Sequence, residues 1–251
     1  MTALVLETHA LSKRFGALPV TNSVDLRLKA GSRHALIGPN GAGKSTFINL
    51  LTGTLRPTAG TITLDGRRID KLPTERRVEL GLGRTFQINT LFPQLSPLEA
   101  ITLAIARRQR RLARPLAALH RQSDLTDEAY EVVCSIGLGP DCLRPTRELP
   151  YGRQRLLEIA LALAGKPRVL LLDEPAAGVP ARDSLELMEA IEALPRDVAV
   201  LFIEHDMDLV FRFAETISVL VAGSLLCEGP PDQIARDPEV RRVYLGVDEN
   251  A

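Results

Sequence analysis

The chain has no excess of charge of either sign, because 31 Lys and Arg balance 31 Asp and Glu. A net charge of zero gives the whole molecule no electrostatic footprint for a polyanion, so a nucleic-acid partner would need a local basic patch. Cysteine is scarce. Cys134, Cys142 and Cys227 are odd in number, form no Cys-x-x-Cys pair and have no histidine ligands nearby, so neither a disulfide framework nor zinc is suggested. That usage fits a reducing cytosol. Long apolar runs are missing too: the N-terminus offers Leu4 to Leu6 before Glu7, and nowhere do the roughly 18 apolar residues of a membrane span occur together. Sustained heptads are also absent, which excludes a long coiled coil. What is present, 251 residues of which 45% are hydrophobic, suffices for one large domain or a domain carrying a subdomain.

Against that background stands the run Gly38-Pro39-Asn40-Gly41-Ala42-Gly43-Lys44-Ser45-Thr46. A glycine-rich turn lets successive backbone N–H groups point inward at phosphate oxygens, and the helix that follows turns its positive dipole end to the same anion. Lys44 is then placed for the β- and γ-phosphates and Ser45 for Mg²⁺. The motif needs a strand before it and a helix after it, and His34 to Ile37 and Thr46 to Leu51 read as these. The chain is therefore expected to bind ATP or GTP.

Periodicity places this loop in an α/β protein. Val24 to Leu28 alternates with period two and ends at Gly31, and Thr61 to Leu64 is followed by the hairpin signal Asp65-Gly66. Both are expected as antiparallel strands. Val169 to Leu172, Val198 to Ile203 and Ile217 to Val221 are continuous apolar runs, the pattern of strands covered on both faces in a mostly parallel sheet. From about Pro97 to Leu163 helical spacing takes over, through Leu98 to Leu119 and Glu128 to Ile136. Arg107, Arg108, Arg110, Arg111 and Arg114 cluster there, but Pro115 interrupts the helix and no aromatics are interleaved for base stacking, so a solvated face is expected.

The apolar run Val169 to Leu172 ends in Asp173-Glu174, which puts two acids at the C-terminal edge of a buried strand, where open α/β sheets bind ligands. Asp173 can hold the Mg²⁺ shell, and Glu174 can polarise a water for in-line attack on the γ-phosphorus. Successive strand side chains point to opposite faces, so the two acids must diverge at the strand end to share one site. His9, His34 and His120 have no such context and read as structural or surface residues.

With these motifs the chain resembles the ATP-binding cassette ATPases over nearly its whole length. The resemblance implies a P-loop NTPase of the ABC type: a mostly parallel core sheet with an antiparallel β subdomain over 1–96 and 165–251, and a helical subdomain inserted at 97–164. It implies ATP and Mg²⁺ as cofactors and ATP hydrolysis as the activity. Phe15, in Lys13-Arg14-Phe15-Gly16, matches the aromatic ring set against adenine. Gln87, in Arg84-Thr85-Phe86-Gln87, matches the glutamine that touches Mg²⁺ and the attacking water, and His205 the histidine that bonds the γ-phosphate. Leu149-Pro150-Tyr151-Gly152-Arg153-Gln154 looks like the signature loop, which faces the ATP of a partner cassette. Here Pro150 replaces the usual serine and supplies neither hydroxyl nor N–H. Pro180, closing Ala176-Ala177-Gly178-Val179-Pro180, replaces the usual Asp or Asn of the loop that signals between cassettes.

Leu91-Phe92-Pro93, Glu174-Pro175-Ala176-Ala177-Gly178, Ile203-Glu204-His205-Asp206-Met207 and the ending Tyr244-Leu245-Gly246 are similar to the ATP-binding subunits of bacterial importers for branched-chain and related hydrophobic amino acids. That implies a peripheral protein on the cytoplasmic face of the inner membrane, docked on two permeases and served by a periplasmic binding protein. A second, related ATPase would complete a heterodimer, with a homodimer also open. Two rivals stand beside this: a cytosolic cassette ATPase acting on nucleic acid or ribosomes, and a non-catalytic ATP-binding subunit of an asymmetric pair.

Overall fold

The computed structural model describes residues 3–85, 91–111 and 123–245. Its strands are β1 (Leu4–Phe15), β2 (Leu18–Val24), β3 (Arg27–Lys29), β4 (Arg33–Ile37), β5 (Ala59–Leu64), β6 (Arg67–Arg68), β7 (Leu82–Arg84), β8 (Val169–Asp173), β9 (Ala199–Ile203), β10 (Thr216–Val221) and β11 (Ser224–Gly229). Its helices are α1 (Lys44–Thr52), α2 (Thr74–Glu79), α3 (Pro97–Arg108), α4 (Ser123–Ser135), α5 (Tyr151–Leu163), α6 (Ala181–Glu192), α7 (Met207–Phe213), α8 (Pro231–Arg236) and α9 (Pro238–Leu245).

The continuous apolar runs become the central strands of a six-stranded sheet ordered β11-β10-β4-β9-β8-β7, parallel from β10 to β7 with β11 antiparallel at one edge. Strand alternation divides the core in two. Ala35, Ile37, Leu170, Leu172, Val200 and Phe202 pack on one face against α3, α4, α5 and α6. Leu36, Val169, Leu171, Ala199, Leu201 and Ile203 face the other way, onto Phe47, Ile48, Leu50 and Leu51 of α1 and onto the second sheet. Each fully buried Leu, Ile or Phe there contributes about 1.5 to 3 kcal/mol, so both faces must be covered.

The second sheet is antiparallel, ordered β2-β1-β5-β6, with β3 also on β1. Asp65-Gly66 makes the expected two-residue hairpin between β5 and β6, with both residues at positive φ as a type I′ turn requires. The strand expected over Val24 to Leu28 is instead two. The Thr8 hydroxyl donates to the Val24 carbonyl at 2.9 Å and accepts from the Leu26 N–H at 2.9 Å, so the ladder is broken between β2 and β3 by a side chain.

Helix α1 is fixed at its C-terminal end by Arg77, a buried residue of α2, whose guanidinium donates to the Leu50 and Leu51 carbonyls, both at 2.6 Å. A cation at a helix C-terminus also opposes the negative dipole end. Between β7 and β8 the described residues form no strand, and α3 starts on a capping box of Ser96 and Glu99. It ends at Arg108, and the rest of the expected helical stretch, from Leu112 to Leu119 with Arg114 and Pro115, lies outside the described residues, as does His120. Arg108 pairs with Glu128 at 2.7 Å and Arg111 with Asp124, so two of the clustered arginines are tied to acids of α4. The stretch after Gly223 packs on the core through Ile234 and Val240.

His34 is buried between β4 and β10, with Nε2 2.8 Å from Ser218 Oγ, and the Ser218 hydroxyl donates to Glu228 at 2.6 Å. Since the serine proton goes to the carboxylate, Nε2 carries the imidazole hydrogen. Burial, helped by the Lys29 charge, lowers the His34 pKa from 6.5 to about 4. The unfolded chain then takes up a proton on this ring as pH falls below 6.5, while the folded chain resists until about 4. Stability is therefore lost in that window, by about 2 to 3 kcal/mol at its acid end. Urea unfolding at neutral pH and near pH 4.5 should show this loss in the wild type, and a smaller loss in His34→Asn.

Candidate functional site

The phosphate loop leaves β4 and enters α1, and two close approaches fix its path. A Cβ on Gly38 would lie 2.1 Å from the Leu220 carbonyl oxygen, and one on Gly43, where φ is +99°, 2.5 Å from that of Val20. Glycine is required at both. The loop is thus seated against β10 and against β2, whose hairpin with β1 carries Phe15. Phe15 is half exposed beneath the Lys13 ammonium, 5.1 Å from its ring centroid. Gly43 caps α1 without a side-chain acceptor, which leaves first-turn N–H groups for an anion. Lys44 Nζ donates to the Gly38 and Pro39 carbonyls at 2.7 and 3.1 Å, which holds the ammonium inside the loop. Burial lowers the Lys44 pKa, and Glu174 and Asp173 act to raise it.

At the end of β8, Asp173 keeps strand parity with Val169 and Leu171 and so belongs to the α1 face of the sheet. Glu174 does not continue the strand. Its φ is +52°, a left-handed conformation that costs a non-glycine residue about 1 to 2 kcal/mol. The turn is held by Glu174 N–H donating to the Ile203 carbonyl at 3.0 Å and by Ala177 N–H donating to the Glu174 carbonyl at 3.1 Å. The expected divergence of the two acids is therefore a backbone event.

His205 Nε2 lies 2.7 Å from Glu174 Oε1, and because an ionised carboxylate only accepts, the imidazole donates. The buried Glu204 accepts from the Ala176 N–H at 2.8 Å and the His205 N–H at 3.2 Å, fixing the loops that follow β8 and β9. Burial raises the Glu204 pKa. Nothing in the sequence singled out Glu204. Its one signal is an acid directly after a five-residue apolar strand, the pattern that identified Asp173 and Glu174.

Asp173 Oδ2 receives Arg84 Nη2 at 3.2 Å, while Oδ1 is buried and has no hydrogen-bond partner among the described residues. Burial raises the Asp173 pKa, against the Arg84 charge. A carboxylate oxygen left bare in the interior suits a cation. Among the described residues no three His, Cys, Asp or Glu gather as a protein-only cage. A cation beside Ser45 and Asp173 would share its shell with phosphate oxygens and water, the habit of Mg²⁺ at nucleotide sites. Gln87 lies outside the described residues.

Pro150 is the N-cap of α5, and Tyr151, Gly152 and Gln154 open the helix. Tyr151 and Gly152 lie against the Ala176 to Pro180 loop and the start of α6: a Cβ on Gly152 would lie 3.5 Å from Val179 Cγ1 and 3.1 Å from Asp183 Cβ, and one on Gly178 3.6 Å from the Tyr151 ring. Gly152 is thus needed for close packing on α6. Gln154 N–H donates to the Pro150 carbonyl at 3.0 Å, and its side chain donates to that of Leu149 at 2.9 Å. Pro150 and Pro180 occupy equivalent positions, each the N-cap of the next helix and each without a side-chain cap.

A glycine loop on a helix N-terminus, with two acids and a histidine at the ends of neighbouring parallel strands, defines a nucleoside-triphosphate hydrolase. Residues 21–177 match the ABC transporter family, and residues 224–250 match the family described as the branched-chain amino acid ATP-binding cassette transporter. The high-affinity branched-chain amino acid transport ATP-binding protein LivG of Salmonella typhimurium is 39% identical over 98% of this chain and 99% of its own. The protein BraF of Pseudomonas aeruginosa, of the same description, is 37% identical over 98% and 99%. The crystal structure of an ATP-binding cassette of an ABC transporter, in its ADP conformation, superposes with a TM-score of 0.84 at 27% identity, covering 98% of this chain and all of that one. The chain belongs to the ABC transporter family, as an ATP-binding cassette that hydrolyses ATP to drive transport.

Proposed function

We propose that the chain is the ATPase subunit of an importer for branched-chain or other hydrophobic amino acids. It would dock at the cytoplasmic face of the inner membrane on two permeases, with a periplasmic binding protein delivering the solute. The relatives' names and their near-complete coverage support the solute class. Among the described residues no helix is long and apolar enough to cross a membrane, so translocation would fall to partner subunits. The observation that carries the hydrolytic reading is Glu174, turned out of β8 and bonded to His205.

In this reading Gly38 to Thr46 cradle the phosphates, Lys44 offsets their charge and Phe15 covers the adenine. Glu174 accepts the proton of the attacking water, and His205 holds Glu174 and reaches the γ-phosphate. Ser45, Asp173 and Gln87 would hold Mg²⁺, which when bound neutralises charge developing on the transferred phosphoryl group. The helical subdomain, 97–164, would carry Pro150, Tyr151, Gly152 and Gln154 to the partner's ATP. A partly asymmetric pair is favoured by one observation: Pro150 and Pro180 both cap helices on that face with no side-chain acceptor.

Two experiments test this. Deleting the gene should abolish uptake of labelled leucine, and a Glu174→Gln copy should fail to restore it. That variant should still bind ATP, while hydrolysis falls about 10²- to 10⁴-fold. Uptake that survives deletion removes the solute assignment, and full turnover by Glu174→Gln removes the general base. For the pairing, Pro150→Ser should raise the ATPase rate of the purified chain about ten- to a hundredfold, increasingly with protein concentration. Equal rates for wild type and variant would make the proline benign and a homodimer the better reading.

A further inference from the structure

In the sequence Arg84 is only a near neighbour of Gln87, but in the fold it bridges separate elements. It ends β7, the edge strand, with the same parity as Leu82, which packs on the α1 face. From there its guanidinium divides between two acceptors. Nη1 donates to Asn49 Oδ1 on α1 at 2.7 Å, and Nη2 donates to Asp173 Oδ2 at 3.2 Å. The Asp173 side chain is 1% exposed and that of Arg84 17%. One planar group thus joins α1, the acid at the end of β8 and the edge strand β7.

We propose that Arg84 is a positioning residue for the cation: it clamps Asp173 Oδ2, with Asn49 as the second point of the clamp, so that Oδ1 is held toward the metal. This rests on the reading of Asp173 as a Mg²⁺ ligand and adds to it the group that orients that ligand. A carboxylate is free to rotate about its last bond, and a hydrogen bond to one oxygen removes that freedom. The unpartnered atoms mark the arrangement. Asp173 Oδ1 and Arg84 Nε are both buried without a hydrogen-bond partner among the described residues. The guanidinium therefore spends its two Nη groups on the bridge and leaves its Nε unsatisfied. Lysine cannot make the same link, because an ammonium is a single point where the guanidinium is a fork that spans two acceptors. The opposite effect is also physical: the Arg84 charge repels a cation, and if repulsion outweighed orientation, removing Arg84 would tighten metal binding.

The test measures metal and nucleotide separately on the purified full chain. Mn²⁺ affinity is read from the loss of the free-ion EPR signal, with protein in excess over ATP so that no nucleotide is free. ATP affinity is read in EDTA by calorimetry. Arg84→Met is expected to weaken Mn²⁺ binding about tenfold or more, with metal-free ATP affinity unchanged within about twofold. Arg84→Lys keeps the charge if the methionine variant fails to fold, and it should recover only part of the Mn²⁺ affinity. Asn49→Ala should weaken Mn²⁺ in the wild type but add little in Arg84→Met. Unchanged or tighter Mn²⁺ binding in Arg84→Met, or full recovery with lysine, overturns the inference. Asp173→Asn separates the two claims. If it leaves Mn²⁺ binding intact, the metal reading itself fails, whereas if it abolishes binding and Arg84→Met does not, only the role of Arg84 falls.

Discussion

Two consecutive acids can serve one site only if the strand that carries them stops between them. In this chain β8 ends at Asp173, and the left-handed turn at Glu174 releases the second carboxylate from the alternation that would send it to the opposite face. The strain is small and local, and it is held by backbone hydrogen bonds from Glu174 to Ile203 and from Ala177 back to Glu174. Asp173 then looks to the α1 face, where Arg84, itself bonded to Asn49, meets it, and Glu174 looks to His205 after the neighbouring strand β9.

The rest of the fold serves that strand end. Alternating residues of β4, β8 and β9 fill two separate cores, so the sheet is packed on both faces. The phosphate loop is seated by two glycines against β10 and β2, and α1 behind it is gripped at its far end by Arg77. The glycine loop, the acids and the histidine are therefore presented by packed elements, while Tyr151 and Gly152 ride on α5 in contact with the loop that follows Glu174. That loop is in turn bonded through the Ala176 N–H to Glu204 and through the Ala177 N–H to the Glu174 carbonyl.

Much of this was legible in the sequence because the residues concerned are extreme. Fully apolar runs identify strands buried on both faces, and glycines at fixed spacing before Lys44 identify the loop. The elements that escaped are those whose signal is weak for a physical reason. β7 is three residues long at a sheet edge, too short for any periodicity. β1 has mixed polarity and bulged pairing, so its twelve residues show no clean alternation. The run from Val24 to Leu28 alternates as a single strand would, but the Thr8 side chain breaks its ladder. Arg84 and Glu204 were silent because their importance lies in partners far away in sequence, 89 residues from Arg84 to Asp173 and 28 from Glu204 to Ala176.

The central claim is that the backbone turn at Glu174 brings both acids to one nucleotide. A crystal structure of the Glu174→Gln protein with ATP and Mg²⁺ tests it most directly. The account predicts residue 174 in the left-handed conformation with its side chain toward the γ-phosphate, and Asp173 Oδ1 at the cation while Arg84 keeps Oδ2. An extended residue 174 with its side chain on the opposite face, or a cation held away from Asp173, would contradict it.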